Sequence, residues 1–193
     1  AAIRTGVPNL SAASAIVSGR APVVLESRPR EITLLGTNPD FRIIRNLKVL
    51  SGRFFDKDDE DEHAKVGLVT KHLGEVLYPD GWVPGRRLKI FGVEFTVIGI
   101  FEEGAETFGQ SEITRETLMM PISTMSILTG SKYVDQIYAS ATAPSLVQAA
   151  TENMVNVVRR RKRAGAVYRR RRSVRHSIRI ECGIACFRCQ LVW

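Results

Sequence analysis

The sequence predicts an α+β domain. Three observations predict it: short β-forming segments alternate with short amphipathic ones, no internal repeat of fixed period interrupts them, and hydrophobic residues make up 44% of the 193, ample for a packed core. A chain of this length forms one domain or two small lobes. No apolar run approaches the ~20 residues that a membrane-crossing helix needs. The chain starts at Ala1 without a charged-then-apolar leader. It therefore reads either as a soluble protein or as a piece of a longer one, cut at both ends.

The elements follow in order. Ser11–Ser18 and Ala21–Leu25 are rich in small and β-branched residues and read as a strand pair turning at Gly19-Arg20. Glu31–Gly36 is a third strand, and Thr37-Asn38-Pro39-Asp40 is a turn cluster. Lys65–Val69 reads as a buried strand, with Thr70 capping a helix over Lys71–Leu77 whose inner face is Leu73, Val76 and Leu77. Arg87–Ile90 alternates polar and apolar, Glu94–Phe101 is strongly β-forming, and Gly92-Val93 between them suits a type II′ turn. Phe95 and Val97 point one way and Thr96, Ile98 and Ile100 the other, so this second strand is central. Residues 102–115 are polar and glycine-containing, a loop. Thr117–Met120 is a strand, Pro121 opens a helix through Leu128, and Val134–Ala141 is a strand. Pro144 starts the longest helix, Ser145–Lys162, with Leu146, Ala150, Met154, Val157 and Val158 on one face and cations in its last turn.

The net charge of +8 is unevenly spread. Residues 159–193 hold twelve Lys/Arg and one acid, Glu181, whereas residues 1–158 carry a net −3. All three cysteines (Cys182, Cys186, Cys189) lie in this basic segment, and their absence from the body suits an oxidising compartment.

An ordered set of motifs runs through the body. Gly52-Arg53-Phe54-Phe55 precedes an acidic stretch. Leu77-Tyr78-Pro79 ends the short strand–helix unit. Pro84-Gly85-Arg86-Arg87-Leu88-Lys89-Ile90 follows, then Phe95-Thr96-Val97-Ile98-Gly99-Ile100. A proline-started helix, a strand and a long helix ending in Val157-Val158-Arg159-Arg160-Arg161 complete the set. Over residues 1–168 this order resembles the MacB-like periplasmic core domain of MacB/FtsX-type ABC-transporter permeases. Taken singly, Gly52, Gly85 and Gly99 also read as residues relieving strain at turns and close contacts.

The resemblance implies a two-lobed extracytoplasmic domain. A porter-like α/β lobe would comprise about residues 1–45 and 116–168, and a mainly β lobe inserted in it about 46–115. It implies the non-catalytic outer domain of an export or lipoprotein-release permease, with no catalytic residue, cofactor or metal. Such permeases dimerise, as homodimers or heterodimers, and are driven by a cytoplasmic ABC ATPase acting through the membrane helices. The outer domain passes the motion to substrate or to a periplasmic adaptor protein. After Tyr168 the resemblance ends. Residues 169–193 are Arg-rich, Cys-containing and acid-poor, and are expected to be a disordered or frame-shifted tail.

Other signals are weighed against simpler readings. Cys182-x3-Cys186-x2-Cys189 has the spacing of a radical-SAM cluster motif, but only four residues follow it, too few for the barrel that motif opens. A zinc site would need His176 as fourth ligand. The acidic run Asp56–Glu62 fails the calcium-loop pattern: its sixth and twelfth places hold Asp61 and Gly67, so it reads as a solvated helix start or loop. His63 and His72 have no suitably spaced nucleophile. The alternative function is a small basic nucleic-acid-binding protein acting through Arg159–Arg163 and Arg169–Arg172, although aromatics for base stacking are nearly absent between them.

Overall fold

A mixed sheet organises the chain, as seen in a computed structural model that describes residues 7, 9–25, 28–81, 83–104, 111–130, 133–165, 177–181 and 189–192. Strand β1 (Leu10–Leu25) is followed by β2 (Arg28–Thr37), helix α1 (Phe41–Ile44), β3 (Leu47–Gly52) and α2 (Lys57–Asp61). Then come β4 (Val66–Thr70), α3 (Lys71–Leu77), β5 (Arg87–Ile90), β6 (Val93–Glu103) and β7 (Thr117–Pro121). α4 (Ile122–Thr129), β8 (Gln136–Ala141), a 3-10 turn (Pro144–Leu146), α5 (Val147–Gly165), β9 (Ser177–Glu181) and β10 (Cys189–Val192) complete the order. The strands lie in the order β10-β9-β8-β1-β2-β7-β4-β6-β3, with β5 paired to β6.

The expected strand pair at Ser11–Leu25 is one strand of 16 residues. Gly19 and Arg20 do not turn; they pair in register with Leu34 and Thr33 of β2. Gly19 answers a packing need instead. A Cβ there would lie 2.8 Å from the methyl end of Met125 on α4. The long strand serves two neighbours in succession, Leu10–Ile16 pairing with β8 and Val17–Leu25 with β2. Beyond these contacts the β1–β2 hairpin has outer edges unpaired among the described strands. Pro22 and Pro29 sit there, one on each strand, and a proline in a ladder must turn its missing donor away from the partner.

The β5–β6 hairpin forms as expected, but one residue earlier. Ile90 faces Val93, so the loop is Phe91-Gly92, and both have positive φ (+47° and +81°). That is the signature of a type I′ turn rather than type II′. β6 is central: it pairs with β4 along its middle and with β5 and β3 near its two ends. The face assignment changes part-way. β4 skips a residue of β6 between Gly67↔Val97 and Leu68↔Gly99, a bulge at Ile98. Phe95, Val97 and Ile100 therefore join one apolar cluster, with Val17, Leu34, Leu73 and Met125. Ile98 and Phe101 join the other, with Phe41, Phe55, Leu68 and Tyr138. Ile98 is half-buried there rather than fully enclosed.

Two elements carry no signal strong enough to be read from sequence, α1 and β3, each shorter than seven residues, whereas α2 is the helix start that the acidic run allowed. The long helix begins two residues later than predicted, after the 3-10 turn, and buries Ala150 and Met154 against Ala139 and Val7. In the basic C-terminal stretch, where composition predicts a tail outside the fold, two short segments are strands. β9 runs parallel to β8, and β10 pairs antiparallel with β9.

Gly99 tests this arrangement. A Cβ at that position would sit 2.7 Å from the Arg53 carbonyl oxygen, 3.0 Å from that of Ser51 and 3.2 Å from Leu68 Cδ2. Two of these atoms are backbone and cannot swing away. Gly99→Ala is expected to cost about 1–3 kcal/mol and to lower the melting temperature by roughly 3–10 °C. An unchanged melt would refute the bulge geometry.

Candidate functional site at the two crossovers

All strands from residues 46–115 lie together at one end of the sheet, and those from the flanking segments lie together at the other. The two halves meet at β4 and β7, which share only two paired positions, Leu68↔Met119 and Val69↔Leu118. The chain passes between halves twice, near residues 45–46 and 115–116. Each passage is held by a polar cluster.

At the first passage α1 ends and Arg45 turns inward, with Asn46 at φ +48° completing the reversal. The Arg45 side chain is only 2% exposed. Its Nη2 donates to Glu103 Oε1 at 2.9 Å and to Ser111 Oγ at 3.0 Å. Its guanidinium carbon lies 5.7 Å from the centre of the Tyr138 ring, and that ring meets Phe41 edge-on at 5.9 Å. Ser111 Oγ directs its own hydrogen to the Glu103 carboxylate and accepts from the Ile113 N–H. The Gly104 N–H donates to the Asn46 carbonyl. Residues from α1, β6, β8 and the 111–113 segment are thus joined around one buried cation. Stripping water from a guanidinium is costly, so every one of these partners is needed to offset the loss.

At the second passage hydroxyls do the binding. Thr70 occupies the N-cap position of α3 yet makes no side-chain cap, contrary to expectation. Its Oγ1 donates to the Arg115 carbonyl at 2.5 Å and accepts from the Thr117 N–H at 3.3 Å, bridging β4 to β7. Thr114 Oγ1 reaches Thr33 Oγ1 on β2 and Thr117 Oγ1, each at 3.0 Å. Arg30 Nη1 donates to Glu116 Oε1 at 2.8 Å, and His72 Nε2 stands 4.0 Å from the same oxygen.

A third cluster fixes the acidic run. Asp56 caps α2: its side chain accepts from the Asp59 N–H, and the Asp59 side chain accepts from the Asp56 N–H, each at 3.0 Å. Arg53 grips Asp59 with both terminal nitrogens, at 2.5 and 3.0 Å. The Arg53 hydrogen bond holds the Asp59 carboxyl below the usual carboxylate range, and the cap adds to this. Glu60 moves the other way, raised first by burial and then by its acidic neighbour Asp61.

This geometry has relatives. The sequence family described as MacB-like periplasmic core domain matches residues 1–157. The chain belongs to that family. The chain is similar to the macrolide export ATP-binding/permease protein MacB of Neisseria meningitidis serogroup A, 23% identical over 153 residues, which cover 79% of this chain and 23% of MacB. MacB of Chlorobaculum tepidum is 26% identical over 168 residues, covering 86% of this chain and 26% of the relative. This chain thus spans about a quarter of the length of the curated relatives it matches. Among solved structures, the extracellular domain of the ABC-type transporter YknZ superposes with a TM-score of 0.70 at 17% identity, covering 82% of this chain and 81% of that one. The periplasmic region of MacB from Actinobacillus actinomycetemcomitans gives 0.69 at 14% identity, covering 83% and 71%. The MacB-like domain is a periplasmic one, which sets its place on the extracytoplasmic side of the membrane. Among the described residues no helix is long and apolar enough to cross a bilayer.

Within the family frame, the motifs quoted from sequence are structural. Gly52 and Gly85 adopt φ of +79° and +86°, and Gly99 is the tight contact described above. The acidic run is a capped helix start, as its failed calcium pattern implies. Among the described residues no three His, Cys, Asp or Glu side chains are arranged to hold a metal ion. His176, Cys182 and Cys186 lie outside the described residues; Cys189 opens β10. His63 sits past the end of α2 at φ +54°, and His72 lies on α3, so the structure does not unite them in a triad. The nucleic-acid reading of the basic tail gains no support from the relatives, which are permeases. Sequence reasoning missed Arg45, Glu103 and Thr70 as a group. The one available signal is the αL-tolerant Asn46 after Arg45, which marks a chain reversal.

Two outcomes are expected. Arg45→Met strands Glu103 and should cost about 2–4 kcal/mol in a urea titration, while Arg45→Met with Glu103→Leu should recover a substantial part. Additive losses would show that the two residues are not coupled. Asp59→Asn should cost about 1 kcal/mol at neutral pH. Because the folded carboxyl titrates below its unfolded value, its contribution is full above about pH 4 and fades as pH falls through the lowered range. The variant's loss relative to wild type should therefore shrink on acidification, which urea midpoints across that range would reveal.

Proposed function

We propose that this domain is the non-catalytic extracytoplasmic relay of an ABC-type export or lipoprotein-release permease. Its flanking segments, about 1–45 and 116–168, act as a porter-like lobe, and residues 46–115 as an inserted, mainly β lobe. ATP binding by a cytoplasmic ATPase subunit or domain moves membrane helices attached outside this chain. The domain carries that motion to substrate or to a periplasmic adaptor, in a homodimer or heterodimer of permeases.

The observation that carries this reading is the join between the halves. Only two residue pairs of β4 and β7 connect them through the sheet, yet both chain passages are pinned by polar clusters. Both large apolar clusters also take residues from each half, so a displacement of one half is carried to the other. A relay needs that property, and a catalyst does not. The family match supports the same reading, since the relatives named above are transport proteins.

The test uses the complete permease in membranes. Arg45→Lys should leave ATP hydrolysis within about twofold of wild type and reduce export severalfold, because a point charge cannot hold the partners in both halves while the ATPase is untouched. Undiminished export with a folded domain would remove the relay role from this join.

A further inference from the structure

Burial falls away along α5 from its start to its end. Ala150, Thr151 and Met154 are buried, Val155, Val157 and Val158 are half-buried, and Arg159 and Arg160 are exposed. The helix runs on to Gly165, about 10 Å beyond Val158. Its sequence there is Arg159-Arg160-Arg161-Lys162-Arg163-Ala164-Gly165.

This end of the helix is positive with nothing in the local sequence to balance it. No Asp or Glu occurs between Asn153 and Ile180. At about 100° per residue, five consecutive positions are spread round the whole helix axis and not gathered on one face. They also place like charges at i,i+3 and i,i+4, as in Arg159 with Lys162 and Arg159 with Arg163, which works against the helix. The macrodipole favours cations here, yet its pull is modest and does not call for five in succession. A local conflict of this kind marks a place where an outside partner offsets the repulsion.

We propose that the basic end of α5 is a contact site for the anionic headgroups of a lipid bilayer. Charge complementarity carries the choice of partner: a concentrated positive helix end meets a surface of phosphates. A protein partner would have to match cations distributed round a helix axis with one rigid acidic face. Lipid phosphates are numerous and laterally mobile, so they gather against cations without such matching. Nucleic acid fits less well, because the family places the domain in the periplasm and the stretch has no aromatic residue between Arg159 and Val167 for base stacking. The proposal rests on the permease reading for nearness to a membrane. Vesicle binding and export are separate measurements, so failure of one is distinguishable from failure of the other.

The experiment is co-sedimentation of the full chain with phosphatidylcholine vesicles and with vesicles of roughly 70:30 phosphatidylcholine and phosphatidylglycerol, in about 0.1 M salt. Wild type should bind the anionic vesicles about tenfold or more tightly than the neutral ones, and about 0.5 M salt should remove the difference. The quintuple variant Arg159→Gln, Arg160→Gln, Arg161→Gln, Lys162→Gln, Arg163→Gln keeps good helix formers, so its melting temperature should stay within about 3 °C of wild type. Its binding to anionic vesicles should fall about tenfold. The milder pair Arg159→Gln with Arg160→Gln, confined to exposed positions, should lose about threefold. Changing the same four arginines to lysine should leave binding as in wild type, because a bilayer reads charge whereas a shaped protein site needs the guanidinium fork. Gln at Arg169, Arg170, Arg171 and Arg172 should cost less than the quintuple change. The proposal is overturned if the quintuple variant sediments as wild type does, or if the lysine variant loses as much as the glutamine one. It is equally overturned if only the change at residues 169–172 removes binding, or if wild type prefers a DNA duplex to anionic vesicles at equal phosphate concentration.

Discussion

A cation enclosed between two halves of a sheet has to be satisfied from both of them, and the geometry of this domain follows from how Arg45 achieves that. Its backbone belongs to the end of α1, its carboxylate partner to β6, its hydroxyl partner to the segment after β6, and its aromatic neighbour to β8. None of these groups is close to Arg45 in sequence. The guanidinium is planar with several fixed donors, so it can serve partners in different directions at once. Lysine would offer a point charge and could not hold the same set. The consequence is positional: with Arg45 in place, the first passage between halves cannot drift without exposing a carboxylate and a cation to a poorly solvated space.

The second passage reaches the same end with neutral groups. Threonine hydroxyls at 70, 114 and 117 satisfy backbone groups where β7 enters the sheet, and Thr33 Oγ1 accepts from the Thr114 hydroxyl. The gain per bond is about 1 kcal/mol, but an unmade bond at a buried strand start costs more. The two passages therefore differ in response. The charged one resists separation strongly and fails abruptly, whereas the hydroxyl set can exchange partners in steps.

Much of the fold was legible because periodicity reports burial. The β5–β6 hairpin, α3, α4 and the buried face of α5 follow from alternation and helical spacing. Where reading failed, a tertiary contact had overridden a local signal. Gly19-Arg20 has the composition of a turn, but the glycine makes room for Met125 within a continuous strand. Ile100 has the parity of Ile98, but the bulge at Ile98 sends the two to opposite clusters. Thr70 has the position of a cap, but a neighbouring strand claims its hydroxyl. Only the site's place was suggested in advance, by the inserted lobe that the family resemblance led one to expect over about 46–115. Its side chains were not, because an arginine in a polar stretch carries no sign of whether it faces solvent or a partner 58 positions away.

The same logic bears on the sheet's margins. β1 and β2 extend past their inner neighbours and place Pro22 and Pro29 on opposite outer edges, so neither edge can accept another strand through those positions. β3 ends the sheet at the other side, and there the protection is a bulge: Val49 and Ser51 pair with Phe101 and Ile100, leaving Leu50 unmatched and half-exposed. A bulged edge twists away from a flat partner. Both devices spend ladder hydrogen bonds to prevent sheet-to-sheet association. Between the halves, packing does as much as the seam: each large apolar cluster draws residues from both, and Ser123 and Thr124 of α4 donate to the Glu60 and Ala64 carbonyls.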